Sequence, residues 1–451
     1  MTMIQATDAP SPSKVLEGRL RARTATIGII GLGYVGLPLA RTFASQGLRV
    51  LGFDIDADKV EALNSGQSYI RHIPAAAIAG MVDAGAFRAS TDYSAIRSCD
   101  AVLICVPTPL TRHREPDLSY IVSTAEAIQS HLTAGQLIVL ESTTYPGTTD
   151  EVLRPILELS GMKAGADFFL AFSPEREDPG NQSYETATIP KVVGGDGEAL
   201  RMACILYDQI VPHTVPVSSC STAEAVKLTE NIFRAVNIAL VNELKVVYDR
   251  MGIDIWEVIE AAKSKPFGFM PFYPSAGLGG HCIPIDPFYL TWKAREFDLS
   301  TRFVELAGEV NAAMPAYVVE RLAVGLDQRF RKAVCGSRIL VVGLAYKKNV
   351  DDMRESPAFK VIELLERRGA VVEYHDPLIP EIRPTREHAA MTGRKSVAWS
   401  PEILAGFDAA MIVTDHDCID WQELVDNSRL VVDTRNATKA VRRNRQWIIK
   451  A

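Results

Sequence analysis

The stretch Ala25-Thr-Ile-Gly-Ile-Ile30, followed by Gly31-Leu-Gly-Tyr-Val-Gly36, decides the fold of the first half of the chain. A helical pattern follows the glycine-rich turn, and a second apolar run, Arg49 to Phe53, ends at Asp54. This order of strand, turn, helix, strand and acidic residue predicts a Rossmann unit. Its glycines allow a pyrophosphate to approach the helix N-terminus, and the Asp54 carboxylate can accept hydrogen bonds from the adenosine ribose. Because an acidic group repels a 2'-phosphate, the pattern favours NAD over NADP.

Further strands are predicted where apolar runs break into polar or proline residues. They are Ala101 to Val106, Leu137 to Leu140 and Phe168 to Phe172. Ligands of open parallel sheets bind at the carboxyl ends of the strands, so Thr143 and Glu175 are assigned to that crevice. For Glu175 the alternative is a surface carboxylate paired with Arg176.

The composition is that of an ordinary globular protein with two or three domains. The chain has 451 residues, 47% hydrophobic and 23% charged, with a formal net charge of -7. No block of like charges indicates a nucleic-acid surface or a membrane anchor. The seven cysteines form no C-x-x-C pair, so neither a disulfide framework nor a metal site is expected. Residues 1 to about 14 are interpreted as a mobile tail without the order of a signal peptide, and a cytoplasmic protein is predicted.

From about Thr222 to Met251 the pattern is helical. Lys227, Asn231 and Arg234 recur at i, i+4 and i+7 and therefore share one face. Alone, such a stripe indicates only the solvated side of an amphipathic helix. A helix this long between two sheet-forming regions also fits a domain connector and a dimer surface, where the polar stripe would need partners.

A second stretch with candidate reactive residues runs from Ala276 to Leu290. Its glycines at 277, 279 and 280 permit close approach to a ligand, and Cys282 follows on a proline-stiffened loop four residues before Asp286. Free cysteine is among the most buried residue types. On these residues alone, a structural cysteine and a nucleophile stay equally open.

The C-terminal part begins a second α/β unit at Ser337, with a turn from Gly343 to Lys348 that lacks the three-glycine fingerprint. Its later strands are Val371 to Tyr374, Ala409 to Val413 and Leu430 to Val432. The predicted fold class is α/β, with two Rossmann-like doubly wound domains joined by a long central helix and a helical middle region. The predicted divisions are a tail (1–22, with a short helix or a solvated lead-in over Val15 to Arg23), an NAD-binding domain (23–218), a central dimerisation and catalytic region (219–325) and a C-terminal domain (326–451).

Together these motifs resemble the UDP-glucose/GDP-mannose dehydrogenase family over nearly the whole length, from about Thr26 to Arg443. The motifs that carry the resemblance are Gly31-Leu-Gly-Tyr-Val-Gly36, Glu141-Ser-Thr143, Ser173-Pro-Glu175, Lys227-x-x-x-Asn231, Gly279-Gly-His-Cys-Ile-Pro-x-Asp286 and Lys347-Lys-x-x-x-Asp-x-Arg354. Within the family, the segments 141–147, 114–117 and 175–180 look most like bacterial UDP-N-acetylglucosamine 6-dehydrogenases of surface-polysaccharide (O-antigen) pathways.

The resemblance implies a four-electron oxidation of a UDP-hexose at carbon six to the uronic acid, with two NAD consumed. Cys282 would form the thiohemiacetal and thioester, and Lys227 with Asn231 would stabilise the oxyanion. Asp286, Glu175 and Thr143 would hold or deprotonate water, and the division of proton transfer among Lys227, Asp286 and Glu175 stays open. His281 is left non-catalytic, because sequence neighbours usually point apart.

The resemblance also implies ligand contacts. The cofactor-binding residues would be Gly31, Gly33, Tyr34, Val35, Gly36, Asp54, Lys59, Thr108, Glu141 and Arg354. The substrate-binding residues would be Lys227, Asn231, Gly279 and Lys347, the last toward the phosphates. The C-terminal domain would hold the uridine diphosphate, with closure of the two halves over the sugar. A homodimer through the central helix is expected, with no nucleic acid, membrane or metal partner.

Several alternatives stay open from the sequence. The same chemistry could act on UDP-GalNAc, UDP-glucose or UDP-ManNAc, because one hydroxyl's difference is read by few contacts. A two-electron β-hydroxyacid dehydrogenase would share the first domain and the Lys-x-x-x-Asn pair. A binding protein that kept the fold and lost the chemistry is the non-enzyme alternative.

Overall fold

The computed structural model describes residues 11–70, 73–111, 113–177, 186–280, 283–385 and 388–451. The chain divides into two compact units. Unit 1 comprises Met1–Glu230 with Phe288–Asp298, and unit 2 comprises Asn231–Pro287 with Leu299–Ala451. The division falls inside the long helix predicted from Thr222, so the predicted boundaries at 22/23, 218/219 and 325/326 stay predictions.

Unit 1 is built on a sheet that, within the described residues, has eight strands. They are β1 (Thr26–Ile30), β2 (Arg49–Phe53), β3 (Phe87–Ser90), β4 (Ala101–Ile104), β5 (Leu137–Leu140), β6 (Phe169–Phe172), β7 (Lys191–Gly195) and β8 (Thr214–Val217). Their order is β3-β2-β1-β4-β5-β6-β7-β8. Neighbouring strands are parallel, except that β6 and β7 pair antiparallel.

Alternate residues of these strands enter two different hydrophobic cores. Ile27 and Ile29 pack into one core, and Ile30 packs into the other. Successive side chains of a strand point to opposite faces, so both faces are covered, as in doubly wound folds. The covering helices include α1 (Pro12–Arg21), α2 (Gly36–Ser45), α3 (Ala57–Asn64), α4 (Ala75–Asp83), α5 (Ser119–Gln129), α6 (Arg154–Glu158) and α7 (Gly197–Tyr207).

Helix α1 corrects the predicted N-terminal tail. The helix begins at Pro12, and its Leu16 and Leu20 are buried in the same core as Ile27. Two leucines one turn apart on one face anchor the segment to the sheet. The mobile-tail prediction is therefore wrong for residues 12–14, the short helix expected over Val15 to Arg23 is confirmed with its end at Arg21, and the alternative of a solvated lead-in is excluded.

The long helix is α8 (Cys220–Met251), which begins in unit 1 and continues into unit 2. The helices that follow are α9 (Ile255–Ala262), α10 (Asp286–Ala294), α11 (Arg302–Phe330), α12 (Pro357–Arg367), α13 (Pro401–Ala405) and α14 (Trp421–Asn427). They accompany the strands β9 (Arg338–Val342), β10 (Val371–His375), β11 (Ala409–Ile412), β12 (Val431–Asp433) and β13 (Ile448–Lys450).

The strands of unit 2 form a second sheet in the order β10-β9-β11-β12-β13, with parallel pairing throughout the described strands. Ile339 and Val341 enter one core and Leu340 and Val342 the other, so this sheet is also covered on both faces. The predicted fold class, two doubly wound α/β sheets with a helical region in the chain between them, is confirmed.

Among the described residues, no helix is both long enough and apolar enough to cross a bilayer. The same residues contain no group of three or more His, Cys, Asp or Glu side chains placed to hold a metal ion.

Candidate active site

The glycine-rich turn of unit 1 uses each of its three glycines differently. Gly31 has a φ of +90°, and a Cβ there would lie 2.6 Å from the Cys105 carbonyl oxygen. A Cβ on Gly36 would lie 1.9 Å from the Gly31 carbonyl oxygen. At Gly33, by contrast, no heavy atom of the described residues lies within 4 Å of that position. The first glycine makes the tight turn, the third lets α2 pack closely, and the second leaves space for a pyrophosphate, so the turn fits a dinucleotide.

Asp54 ends β2 beside this turn. Its Oδ2 accepts the Leu32 backbone N–H at 3.0 Å, and its Oδ1 accepts the Asp56 N–H at 3.0 Å. The carboxylate is thereby held at the carboxyl edge of the sheet, where a ribose would bind. Lys59 Nζ lies 4.0 Å from Asp54 Oδ1, close enough to join the same site.

The remaining residues of the predicted turn lie where the motif requires. Val35 directly precedes α2, which begins at Gly36. The Tyr34 side chain is 38% exposed, so it is accessible to a ligand. Both cofactor contacts stay predictions.

The loops after β4 and β5 are joined by side-chain hydrogen bonds. Thr108 Oγ1 donates to the Thr143 carbonyl oxygen at 2.7 Å, and Ser142 Oγ donates to the Val106 carbonyl oxygen at 2.7 Å. Thr108 is buried and Thr143 half-buried. The two predicted site threonines therefore belong to one rigid strand-end surface.

Glu141 directly follows β5, and protein side chains enclose it. Its Oε2 is 2.7 Å from Lys191 Nζ, its Oε1 accepts a short hydrogen bond from the Tyr207 hydroxyl, and its side chain has no exposed surface. Burial raises the pKa of the Glu141 carboxyl, while the Lys191 ammonium opposes that rise. The Glu141 side chain is therefore enclosed by protein partners, and its predicted contact with the cofactor stays a prediction.

Glu175 follows β6 and is held by backbone donors. Its Oε1 accepts the N–H groups of Arg176 at 2.7 Å and Glu177 at 2.8 Å, and its Oε2 lies 3.5 Å from Lys191 Nζ. Burial would raise the pKa of Glu175, but the Lys191 ammonium and the Glu177 N–H outweigh it, so the pKa lies below its ordinary value. The Arg176 guanidinium pairs instead with Glu230, so the alternative of a surface pair with Arg176 is wrong.

Lys227 lies beside Glu175 in unit 1. The lysine is buried, and its Nζ donates to the Glu175 carbonyl oxygen at 2.6 Å. One turn earlier on α8, Glu224 accepts the N–H groups of Gly147 at 2.6 Å and Thr149 at 2.9 Å, which fixes the start of the helix to the loop after β5. The Lys227 ammonium therefore contacts the backbone of Glu175, another residue of the predicted catalytic set, at the end of β6.

In unit 2, Asn231 contacts Asp286. Asn231 Nδ2 donates to Asp286 Oδ2 at 2.6 Å, and both residues are buried. The amide of α8 is thus joined to the acid that begins α10, four residues after Cys282. Arg234 is exposed, so the buried part of the predicted stripe ends at Asn231.

The glycine loop before Cys282 is packed against other segments of unit 2. A Cβ on Gly279 would lie 2.7 Å from Tyr346 Cβ and 3.0 Å from the Glu355 carbonyl oxygen. Gly280, with a φ of +84°, donates its N–H to the Arg354 carbonyl oxygen at 3.1 Å. Gly279 is therefore required by packing, and its predicted substrate contact stays a prediction. Cys282 and His281 lie outside the described residues.

The turn after β9 resembles the glycine-rich turn of unit 1 in that an acidic residue accepts its backbone N–H groups. It differs in that a histidine also contacts this acidic residue. Asp376 Oδ2 accepts the N–H groups of Leu344 at 2.7 Å and Ala345 at 2.9 Å and lies 3.1 Å from His416 Nε2. Its Oδ1 accepts the Leu378 N–H at 2.8 Å. The Asp376 side chain has no exposed surface, whereas 9% of the Asp54 side chain is exposed, so Asp376 is less accessible to a ribose, which agrees with the missing fingerprint.

Two further predicted residues lie on this side of unit 2. Lys347 is half-buried in the turn after β9. Arg354 is exposed and forms a fork with Asp352, with Nη2 2.6 Å from Oδ2. Their ligand contacts stay predictions.

The sequence reasoning missed Lys191 and Tyr207. Lys191 is 4% exposed and begins β7, so the available signal was a lysine at the head of the apolar run from 191 to 195. Tyr207 ends α7 and is fully buried. Neither lies in a recognisable motif, and their partner Glu141 is distant in sequence.

Models of one family match the chain in three consecutive segments. The NAD binding domain of the UDP-glucose/GDP-mannose dehydrogenase family matches residues 25–211, the central domain matches 221–313 and the UDP binding domain matches 340–440.

Individual relatives agree with this assignment. The UDP-N-acetyl-D-glucosamine 6-dehydrogenase of Pseudomonas aeruginosa is 37% identical over 78% of this chain and 83% of its own length. The NDP-N-acetyl-D-galactosaminuronic acid dehydrogenase of Ralstonia nicotianae is 35% identical over 92% and 97%. The solved structure of UDP-D-ManNAc dehydrogenase from Pyrococcus horikoshii, 32% identical, covers 91% of this chain and 96% of its own with a TM-score of 0.82.

These matches decide against the β-hydroxyacid dehydrogenase and the non-enzyme alternatives and leave the choice of sugar open. The match to a UDP binding domain argues against a β-hydroxyacid dehydrogenase, and relatives that cover most of the chain are named as dehydrogenases. The chain belongs to the UDP-glucose/GDP-mannose dehydrogenase family and is an NAD-dependent UDP-sugar dehydrogenase.

Proposed function

We propose that the protein oxidises carbon six of UDP-N-acetylglucosamine to the carboxylate, through a thioester on Cys282. The observation that carries the proposal is the 2.6 Å hydrogen bond between Asn231 and Asp286. It joins an oxyanion-stabilising amide to the acid of the segment that contains Cys282. We place the reaction in the cytoplasm, as a source of precursors for a surface polysaccharide.

The residues suit a stepwise oxidation. NAD, when bound, accepts the hydride of each oxidation. The Cys282 thiolate adds to the aldehyde carbon and forms a thiohemiacetal, which loses a hydride to become a thioester. Water then cleaves the carbon–sulfur bond, so the acid is released and the thiol regenerated. A covalent handle of this kind keeps the aldehyde from leaving between the two oxidations.

Charged and polar groups then divide the remaining work. Each addition to the carbonyl develops an oxyanion, which the Lys227 ammonium and the Asn231 amide are suited to stabilise. Glu175, whose pKa is lowered, is ionised at neutral pH and can accept a proton from the attacking water. Asp286 and Thr143 would orient that water.

The choice of UDP-GlcNAc rests on the resemblance of the 141–147 and 175–180 segments and on the P. aeruginosa relative. Other relatives are named for N-acetylmannosamine and N-acetylgalactosaminuronic acid, so the common element is a 2-acetamido sugar. We expect kcat/KM for UDP-GlcNAc to exceed that for UDP-ManNAc, UDP-GalNAc and UDP-glucose by about tenfold or more, the discrimination that a few polar contacts supply. NADH formation with each purified sugar measures it. A higher kcat/KM for another of these sugars would contradict the assignment of UDP-GlcNAc as the substrate, whereas the family assignment would stand.

We also propose that the protein is a homodimer through α8. Phe233, Leu240 and Val247 are about half exposed and recur every seven residues, so they form an apolar stripe on the helix within unit 2. The Phe233 ring also contacts Phe272 edge-on. Leu240→Glu is expected to convert the dimer to monomer, measured by light scattering after size exclusion. Leu159→Glu is the control, because Leu159 is also exposed but lies outside the stripe. A wild-type protein that is monomeric at micromolar concentration would contradict the proposal.

A further inference from the structure

Among the described strands of unit 1, β6 and β7 form the antiparallel pair, and this pairing brings a lysine opposite Glu175. Strands β6 and β7 pair with Phe172 opposite Gly194 and Ala171 opposite Gly195. Continued past the end of β6, this register sets Lys191 opposite Glu175. Two hydrogen bonds join the segments beyond β6, from Ser173 Oγ to the Val192 carbonyl oxygen at 2.8 Å and from Arg176 Nη1 to the Pro190 carbonyl oxygen at 2.9 Å, and the second of them joins residues that the register also sets opposite each other. The placement of Lys191 is therefore built into the sheet.

Three acceptors surround the Lys191 ammonium. Its Nζ lies 2.7 Å from Glu141 Oε2, 3.4 Å from the Pro174 carbonyl oxygen and 3.5 Å from Glu175 Oε2. The side chain is 4% exposed. Burial lowers the pKa of Lys191, but Glu141 and Glu175 outweigh burial and raise it to about 12. A cation this deeply buried stays charged only because carboxylates face it.

We propose that Lys191 is a positioning residue that holds Glu175 ionised and oriented for its work on water, with Glu141 and Tyr207 fixing the lysine from behind. The inference rests on the proposed function, because it assigns Glu175 a role in that reaction. The closer contact goes to Glu141, which has no exposed surface and serves as the permanent counter-ion. Glu175, at 14% exposure, is the partner that keeps access to the site.

The titratable and charged groups that face Lys191 and Glu175 lie on several elements. They are Cys105 after β4, Glu141 after β5, Tyr207 at the end of α7 and Lys227 on α8. Lys191 and Lys227 favour the ionised form of Glu175, whereas Glu141 opposes it. Removing the Lys191 charge should therefore raise the pKa of Glu175. The acid limb, which is the fall of kcat on the low-pH side of its pH profile, should then move to higher pH.

The test avoids leaving the fully buried Glu141 carboxylate without its partner. Lys191→Met alone would orphan Glu141 and could prevent folding. The double variant Glu141→Gln/Lys191→Met removes both charges together, and Glu141→Gln alone leaves Lys191 facing Glu175. We expect the acid limb of kcat to rise by about one pH unit or more in the double variant, a roughly tenfold loss of kcat below the limb, with KM changed less than kcat. Glu141→Gln alone should leave the limb unmoved or shift it lower.

A conservative variant and a matched control separate positioning from a merely structural role. Lys191→Arg keeps the cation and should retain the wild-type limb. Lys293 is a second poorly exposed lysine flanked by two carboxylates, with Nζ 2.6 Å from Glu151 and 2.7 Å from Glu296. Lys293→Met should lower the unfolding temperature without moving the limb. An acid limb that stays in place in the double variant would overturn the proposal.

A second readout does not depend on turnover. In the Glu141→Gln background, a double-mutant cycle of unfolding temperatures with Lys191→Met and Glu175→Gln should be non-additive, since Glu175 is then the remaining carboxylate facing Lys191. Additive changes would overturn the proposal. Wild-type protein that forms no NADH would instead refute the proposed function, while this cycle would still decide whether Lys191 and Glu175 are coupled.

Discussion

Cys282→Ser is expected to lower steady-state turnover with UDP-GlcNAc by on the order of 10³-fold or more, the scale seen when a covalent nucleophile is removed. A serine hydroxyl is a far weaker nucleophile than a thiolate at neutral pH, so the aldehyde would not be carried to the thioester. The measurement is the rate of NADH formation at saturating sugar and NAD.

The control for this variant is another cysteine of the same chain. Cys335 is exposed, and Cys335→Ser is expected to keep full turnover. Intact-mass analysis of wild-type protein quenched during turnover should find the acyl adduct on the peptide that contains Cys282. Turnover of Cys282→Ser within tenfold of wild type would contradict the role of the thiol.

Lys227→Met is expected to lower kcat by about 10²- to 10⁴-fold, the range for loss of a general acid–base group or of a group that stabilises an oxyanion. The lysine is buried, and its ammonium contacts the Glu175 carbonyl oxygen at 2.6 Å. Removing it takes away both the charge that would face the oxyanion and a hydrogen bond that holds the Glu175 loop. Rates and KM are measured after circular dichroism has established that the variant is folded.

A lysine of the same helix provides the matched control for Lys227→Met. Lys245 is also buried on α8, 3.5 Å from Asp249, and burial lowers its pKa. Lys245→Met should change the unfolding temperature and leave kcat close to wild type. A kcat for Lys227→Met within threefold of the Lys245→Met value would contradict a chemical role for Lys227.

Much of the fold could be predicted because several buried strands are apolar runs with a recognisable end in the sequence. β1, β2 and β5 are apolar runs with a marked ending, and the structure places them within one residue of the prediction. β3, β7, β8 and β13 were not predicted. β7 begins with a lysine and ends in two glycines, and β8 contains a proline. The antiparallel direction of β7 relative to β6 could not be predicted from the local sequence, because strand direction depends on long-range pairing.

The candidate site was predictable to the extent that its residues sit in motifs. Thr143, Glu175 and Lys227 lie in unit 1, and Lys227 contacts Glu175 directly. The surroundings of Glu141 could not be predicted, because its strand-end position suggests an open side chain, whereas the structure buries it against Lys191 and Tyr207. An ion pair between residues fifty positions apart depends on the register of two strands, which sequence periodicity does not specify.

The central claim, a four-electron oxidation completed on one enzyme, is tested most directly by counting NADH formed per UDP-GlcNAc consumed by the wild-type protein. Sugar consumption is followed by chromatography and NADH by absorbance in the same sample. We expect two NADH for each sugar consumed and UDP-N-acetylglucosaminuronic acid as the product. One NADH per sugar, with release of the aldehyde, would contradict it.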